Sequence, residues 1–132
     1  MATFSCNLRC EKYCSSKCKI DPYWESKIKD GRPKLWDLSS EKTKEWSTSE
    51  REALEKILTR LPDDFKKISL DGIYRMGKSV QIVNPGTTYE ASITLYDYAF
   101  QDPPFTLERV IVHELAHVIF NKLTKRYFKF SF

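Results

Sequence analysis

The two histidines of this chain stand four residues apart with a glutamate directly after the first: His113-Glu114-Leu115-Ala116-His117. On a helix, positions four apart lie about 40° from each other, one turn above the next, so both imidazoles face one way and can share an ion. Zinc takes nitrogen ligands at about 2.0–2.1 Å in tetrahedral geometry, and a catalytic site keeps one position for water. Glu114 sits about 100° from His113 and about 60° from His117, on the flank of the ligand face. There it can accept a proton from water attacking a carbonyl and pass that proton to the leaving amine. Two histidines can equally be satisfied core residues. Simple counting, however, makes this arrangement of a chain's only two histidines roughly a one-in-a-thousand coincidence, and burying these groups without a task is costly.

The element that must carry them is a helix from about Leu107 to Thr124, with Thr106 as its N-cap. Around it Leu107, Val110, Ile111, Val112, Leu115, Val118, Ile119, Phe120 and Leu123 cover most of the circumference, the pattern of a buried central helix. A second helix precedes it. Ser49 and Glu52 have capping-box spacing, Ala53, Leu54, Ile57, Leu58 and Leu61 repeat at helical intervals, Glu50, Arg51, Glu55 and Lys56 face out, and Pro62 ends it. Between the helices, Phe65 to Leu70, Gly72 to Met76, Ser79 to Val83 and Tyr89 to Tyr96 read as strands. The last alternates and should be half-buried at an edge, and Asn84-Pro85-Gly86-Thr87 reads as the hairpin turn before it. Asp102-Pro103-Pro104 breaks the chain, and Tyr127, Phe128, Phe130 and Phe132 suggest a closing strand.

Cys6, Cys10, Cys14 and Cys18 form a second group, each four residues after the last. They could gather around a second, structural zinc, although two pairs separated by three residues are cramped for that. They could form two disulfides, or remain free thiols. Residues 21–48 are polar, carry Trp24, Trp36 and Trp46, and read as an irregular arm that docks by its indoles. The expected organisation is therefore a Cys-rich module over 1–20, this arm over 21–48, and one catalytic-type domain over 49–132.

With 132 residues, 41% apolar and 30% charged, the chain suits one core with a small appendage. The net charge of +4 comes from interspersed signs, so nothing points to nucleic acid. No run approaches the about 18 apolar residues of a membrane span. The first twenty residues carry cysteines and charges where a leader would be apolar, so the chain is expected in the cytoplasm or exported without a cleaved leader.

The stretch Val110-Ile111-Val112-His113-Glu114-Leu115-Ala116-His117-Val118-Ile119 resembles the active-site helix of zincin metallopeptidases, in particular the small gluzincin-like domains of bacterial toxins and effectors. The specific match covers about ten residues, and the compatible order of elements spans about 49–124; residues 1–48 have no counterpart. The resemblance implies an α+β zincin-like fold: a small, mostly antiparallel twisted sheet on a capped helix and a buried metal helix. It implies zinc held by His113 and His117, Glu114 as catalytic base, a protein or peptide substrate, and an inhibitory or immunity-type protein partner. It also implies that the strand at Tyr89–Tyr96 could hold an extended substrate by main-chain pairing. A tyrosine often helps polarise the attacked carbonyl in metallopeptidases, and Tyr89, Tyr96 and Tyr98 lie just before the metal helix, but packing is the favoured role for each. The family further needs a third ligand, and no Asp, Glu or His follows His117. Either the chain is part of a longer peptidase, or the ligand lies upstream (Glu90, Asp97, Asp102 or a cysteine), or the site is incomplete and serves as a binding module. A hydrolase acting on a non-protein amide is the further alternative. Glu108 is excluded as a ligand, being about 140° from His113 on the same helix.

Overall fold

The computed structural model describes residues 21–33, 42–78, 84–101 and 106–124, with the backbone of Lys129–Ser131. The four cysteines, Trp36, the run 79–83 and Asp102-Pro103-Pro104 lie outside the described residues, and so do the expectations placed on them.

The described chain is α+β. Asp21 opens the first helix, α1 (Pro22–Lys27), its carboxylate accepting the Tyr23 N–H while Pro22 supplies a preset φ in the first turn. This helix lies within the segment read as an irregular arm. It drives Trp24 fully into the core and leads straight into β1 (Ile28–Lys29). Trp46 docks beside it, donating its indole N–H to the Lys29 carbonyl at 3.0 Å.

Helix α2 (Thr48–Thr59) starts two residues earlier than the Ser49 spacing suggests. Its capping box is Ser47 with Glu50: the Ser47 hydroxyl accepts the Glu50 N–H at 3.1 Å, and the Glu50 carboxylate takes the Ser47 N–H. Leu54 and Leu58 are buried as expected, but Ala53 is exposed, and Glu55 is buried beside Arg51 at 3.3 Å.

After Pro62 the run expected as a strand from Phe65 is a 3₁₀ turn over Asp63–Ile68, where Lys66 and Lys67 pair back to Asp63 and Asp64. The sheet then forms from β2 (Gly72–Arg75), β3 (Gly86–Tyr89) and β4 (Ser92–Leu95), completed by β5 (Lys129–Ser131). The order is β1-β2-β4-β3-β5. The pairs β1·β2 and β2·β4 are parallel, and β3·β4 and β3·β5 antiparallel, so the sheet is mixed instead of mostly antiparallel.

Two expectations fail together at Tyr89–Tyr96. That run is not one edge strand: Glu90 takes a left-handed φ of 55°, and the chain reverses at Glu90-Ala91 between β3 and β4. Asn84-Pro85 is the entry to β3, where the Asn84 side chain holds the Gly86 N–H and the Thr87 hydroxyl. Strand β4 is central and buried throughout, between β2 and β3.

Helix α3 (Leu107–Thr124) has the expected bounds, and Thr106 caps it by accepting the Arg109 N–H at 3.2 Å. It packs on β3 and β4 and also meets α2 and the 3₁₀ turns Asp63–Ile68 and Asp97–Phe100. Val110, Ile111, Leu115 and Val118 join Trp24, Leu54, Leu58, Ile73, Ile93 and Leu95 in one core. The other side is solvent-facing although apolar: Val112, Phe120 and Leu123 are 37%, 47% and 79% exposed. An apolar circumference here does not mean a fully buried helix.

Arg75 ties the layers together. Its buried guanidinium donates to both Glu50 carboxylate oxygens at 3.1 Å and to Asp97 at 2.8 Å, joining the start of α2 to the end of the sheet.

Candidate metal centre

Helix α3 places His113 on its exposed side and His117, one turn on, half-buried. Their Nε2 atoms are 3.0 Å apart and the rings meet edge to face at 4.6 Å. At that spacing both nitrogens can lie about 2.0–2.1 Å from one zinc ion, so the donor pair fits the metal. Burial, and then the neighbouring charge of His113, lowers the His117 pKa and favours the neutral ring that binds metals.

Glu114, on the flank of the histidine pair, packs against β3 and is fully buried. The Thr88 hydroxyl lies 2.6 Å from its Oε1 and 3.2 Å from its backbone carbonyl. Its second oxygen, Oε2, has no hydrogen-bond partner among the described residues. Strand β3 makes room for this carboxyl by carrying glycine. A Cβ on Gly86 would stand 3.3 Å from Glu114 Cγ and 3.4 Å from Oε2, tighter than an ordinary contact. Desolvation raises the Glu114 pKa to about 7, against the opposing pull of the Thr88 hydrogen bond. A carboxyl that exchanges its proton near neutrality is suited to general acid–base work.

Beside His113, an open groove of about 490 Å³ is lined by Thr106, Glu108, Arg109 and Val112. The upstream ligand candidates are elsewhere. Asp97 is held by Lys44 at 2.9 Å and by Arg75. Glu90 sits in the β3–β4 turn, where its carbonyl accepts from Asn121, and it lines a different cavity with Lys27, Lys29 and Lys122. Neither joins the histidines, and the described residues hold no group of three metal-ligating side chains. Asp102 and the cysteines are outside the described residues. Among the tyrosines, Tyr96 is buried with Met76 in a small cluster of its own, and Tyr89 and Tyr98 are half-buried.

Thr88 and Gly86 are the site residues that sequence reasoning does not find. Gly86 reads from sequence as part of a hairpin turn, where a glycine needs no further reason, and the structure places it in β3 instead. The strand beside the glutamate is β3, not the Tyr89–Tyr96 run, and β5 pairs along its outer side.

Compared with family models, with curated proteins and with solved structures, the chain matches none.

Proposed function

We propose that this chain is a zincin-like zinc metallopeptidase domain, with His113 and His117 holding the ion and Glu114 acting on the attacking water. The observation that carries the reading is that one helix brings two imidazole nitrogens to 3.0 Å and carries on their flank a buried carboxyl whose pKa is raised to about 7. When bound, zinc supplies Lewis acidity toward a carbonyl and brings the pKa of water toward neutrality.

The chain's own residues do the rest. Glu114 takes the proton as water adds to the peptide carbonyl and returns it to the departing amine. Thr88 fixes the carboxyl through Oε1, and Gly86 lets it lie against β3; among the described residues no group hydrogen-bonds Oε2, the oxygen that would take the proton. Peptide is the substrate class because this chemistry needs a carbonyl with a protonatable leaving group, and an open groove of about 490 Å³ lies beside His113.

The test is hydrolysis of a fluorogenic peptide library by zinc-loaded protein. Glu114→Gln should keep its zinc and lose at least about a hundredfold in rate, the size of a general acid–base contribution. If Glu114→Gln hydrolyses peptides at the unmodified rate, the assigned role is wrong.

A further inference from the structure

We propose that the cavity where α1, β1 and the last turn of α3 meet the β3–β4 turn binds a small phosphomonoester, a phosphate group carried on a hydroxylated molecule. The site shares no residue with the proposed zinc centre and does not depend on it.

Three ammonium groups carry the proposal. The cavity has a volume of about 390 Å³, within the range of small-molecule pockets. Lys27 ends α1, Lys29 lies in β1 and Lys122 stands in the last turn of α3, and all three line it. The Lys29 stem crosses β2 where Gly72 gives it room, since a Cβ there would stand 3.0 Å from Lys29 Cδ. The Lys27 ammonium lies over the Tyr23 ring, 5.2 Å from its centroid. Lys44, Lys66 and Lys67 each hold a carboxylate, whereas none of the ion pairs among the described residues uses Lys27, Lys29 or Lys122. Like charges gathered on one cavity raise its positive potential, and a bound anion relieves it.

The two carboxylates of the lining do not cancel this charge. Asp71 accepts the Tyr74 hydroxyl at 3.2 Å and the Ser92 hydroxyl at 2.7 Å. Glu90 sits in the turn that Asn121 braces by donating to its carbonyl at 3.0 Å. With both ionised, three lysines still leave the lining net positive.

The backbone marks the same place. Ser69 and Glu90 are the non-glycine residues with left-handed φ among the described residues, at 57° and 55°, and both line this cavity. That conformation is unfavourable for residues with a side chain, and it gathers at ligand sites. The two turns are tied together by the Asp71 N–H, which donates to the Ala91 carbonyl at 2.8 Å.

The donor set selects the ligand class. Lysine ammonium groups act as point charges that suit the tetrahedral oxygens of phosphate. Planar carboxylates favour the arginine fork, and no arginine among the described residues lines the cavity. The Ser69 hydroxyl and the Glu90 carboxylate then face the remainder of the ligand, where they can bind hydroxyl groups.

The experiment is an amide NMR titration of the chelator-treated 132-residue chain with glycerol phosphate, inorganic phosphate and glycerol. Glycerol phosphate should give saturable shifts centred on Ser69, Asp71, Glu90 and Ser92, inorganic phosphate should bind severalfold more weakly, and glycerol should not bind. Lys29→Met and Lys122→Gln should each weaken binding about tenfold, the scale of one hydrogen bond to a charged group. Lys56→Ala, exposed on α2, should leave it unchanged, and a parental urea midpoint shows that each variant is folded. Absence of saturable shifts at those four amides overturns the proposal. So does binding indifferent to both cavity lysines, or inorganic phosphate that binds as tightly as glycerol phosphate. Co-sedimentation with phosphatidylcholine vesicles containing phosphatidic acid, without binding of glycerol phosphate, overturns it in favour of a lipid surface. None of these results bears on the peptidase reading, because the metal is removed throughout.

Discussion

Glu114→Gln should stabilise the metal-free protein, and by an amount that depends on pH in a defined way. Glu114 is fully buried, one of its oxygens lacks a partner, and desolvation raises its pKa from 4.5 to about 7. Below about pH 4.5 the carboxyl is protonated whether the chain is folded or not, so it imposes no electrostatic penalty. Between 4.5 and 7 the folded chain retains a proton that the unfolded chain has released, and stability falls as pH rises. Above 7 the full penalty is present, about 3 kcal/mol at about 1.4 kcal/mol per pH unit of displacement. Glutamine cannot ionise, and its carbonyl can still accept from Thr88. The assay is urea unfolding of chelator-treated protein at pH 4.5 and pH 8, comparing the two chains so that other carboxylates cancel. The variant should match the parent near pH 4.5 and exceed it by about 2–3 kcal/mol at pH 8. A difference that does not change with pH, or a parent more stable than the variant at pH 8, would refute the reasoning.

Thr88→Val removes the donor to Glu114 and should cost about 1–3 kcal/mol in urea unfolding, with Thr88→Ser restoring most of it. The same change should move the Glu114 titration, followed by NMR of its side-chain carbon in chelated protein, above about 7, because burial then acts without its opponent. Gly86→Ala sets a Cβ 3.3–3.4 Å from the Glu114 side chain; zinc content should hold while peptide hydrolysis falls at least about tenfold, as displaced catalytic groups do. Arg75→Met should cost about 3 kcal/mol at pH 7, since it leaves Glu50 and Asp97 facing a vacated site. Burial works against ionisation of both carboxyls, but Arg75 outweighs it at Glu50 and Lys44 with Arg75 at Asp97, so both pKa values lie below their usual range. Their contribution is therefore present above the ordinary carboxylate range and lost as pH falls through the lowered values, and Arg75→Met should flatten that acid limb of the stability profile.

Local signals were read well where one face and one cap decide the outcome. The bounds of α3 and its Thr106 cap follow from the apolar run and the threonine before it. The start of α2 was read two residues late because Ser47 to Glu50 and Ser49 to Glu52 have the same spacing, and only packing against the core selects between them. The β3–β4 hairpin was hidden because Glu90-Ala91 continues the polar–apolar alternation of its neighbours. Its turn depends on a left-handed glutamate, which no local composition announces. The histidine pair is legible because both residues sit on one helix. The Thr88 and Gly86 contacts with Glu114 were not, since they join residues 26 and 28 positions apart through sheet packing. The exposed stripe on α3 shows the limit of periodicity: a helix apolar on all sides does not say which side meets its own chain.

Zinc bound by the histidine pair is the central claim. The dialysed 132-residue chain, exchanged against zinc and analysed by mass spectrometry for metal, should lose zinc on His113→Ala and equally on His117→Ala, and keep it on Glu114→Gln. Zinc content unchanged by both histidine substitutions, or no zinc retained by the unmodified chain, would contradict it.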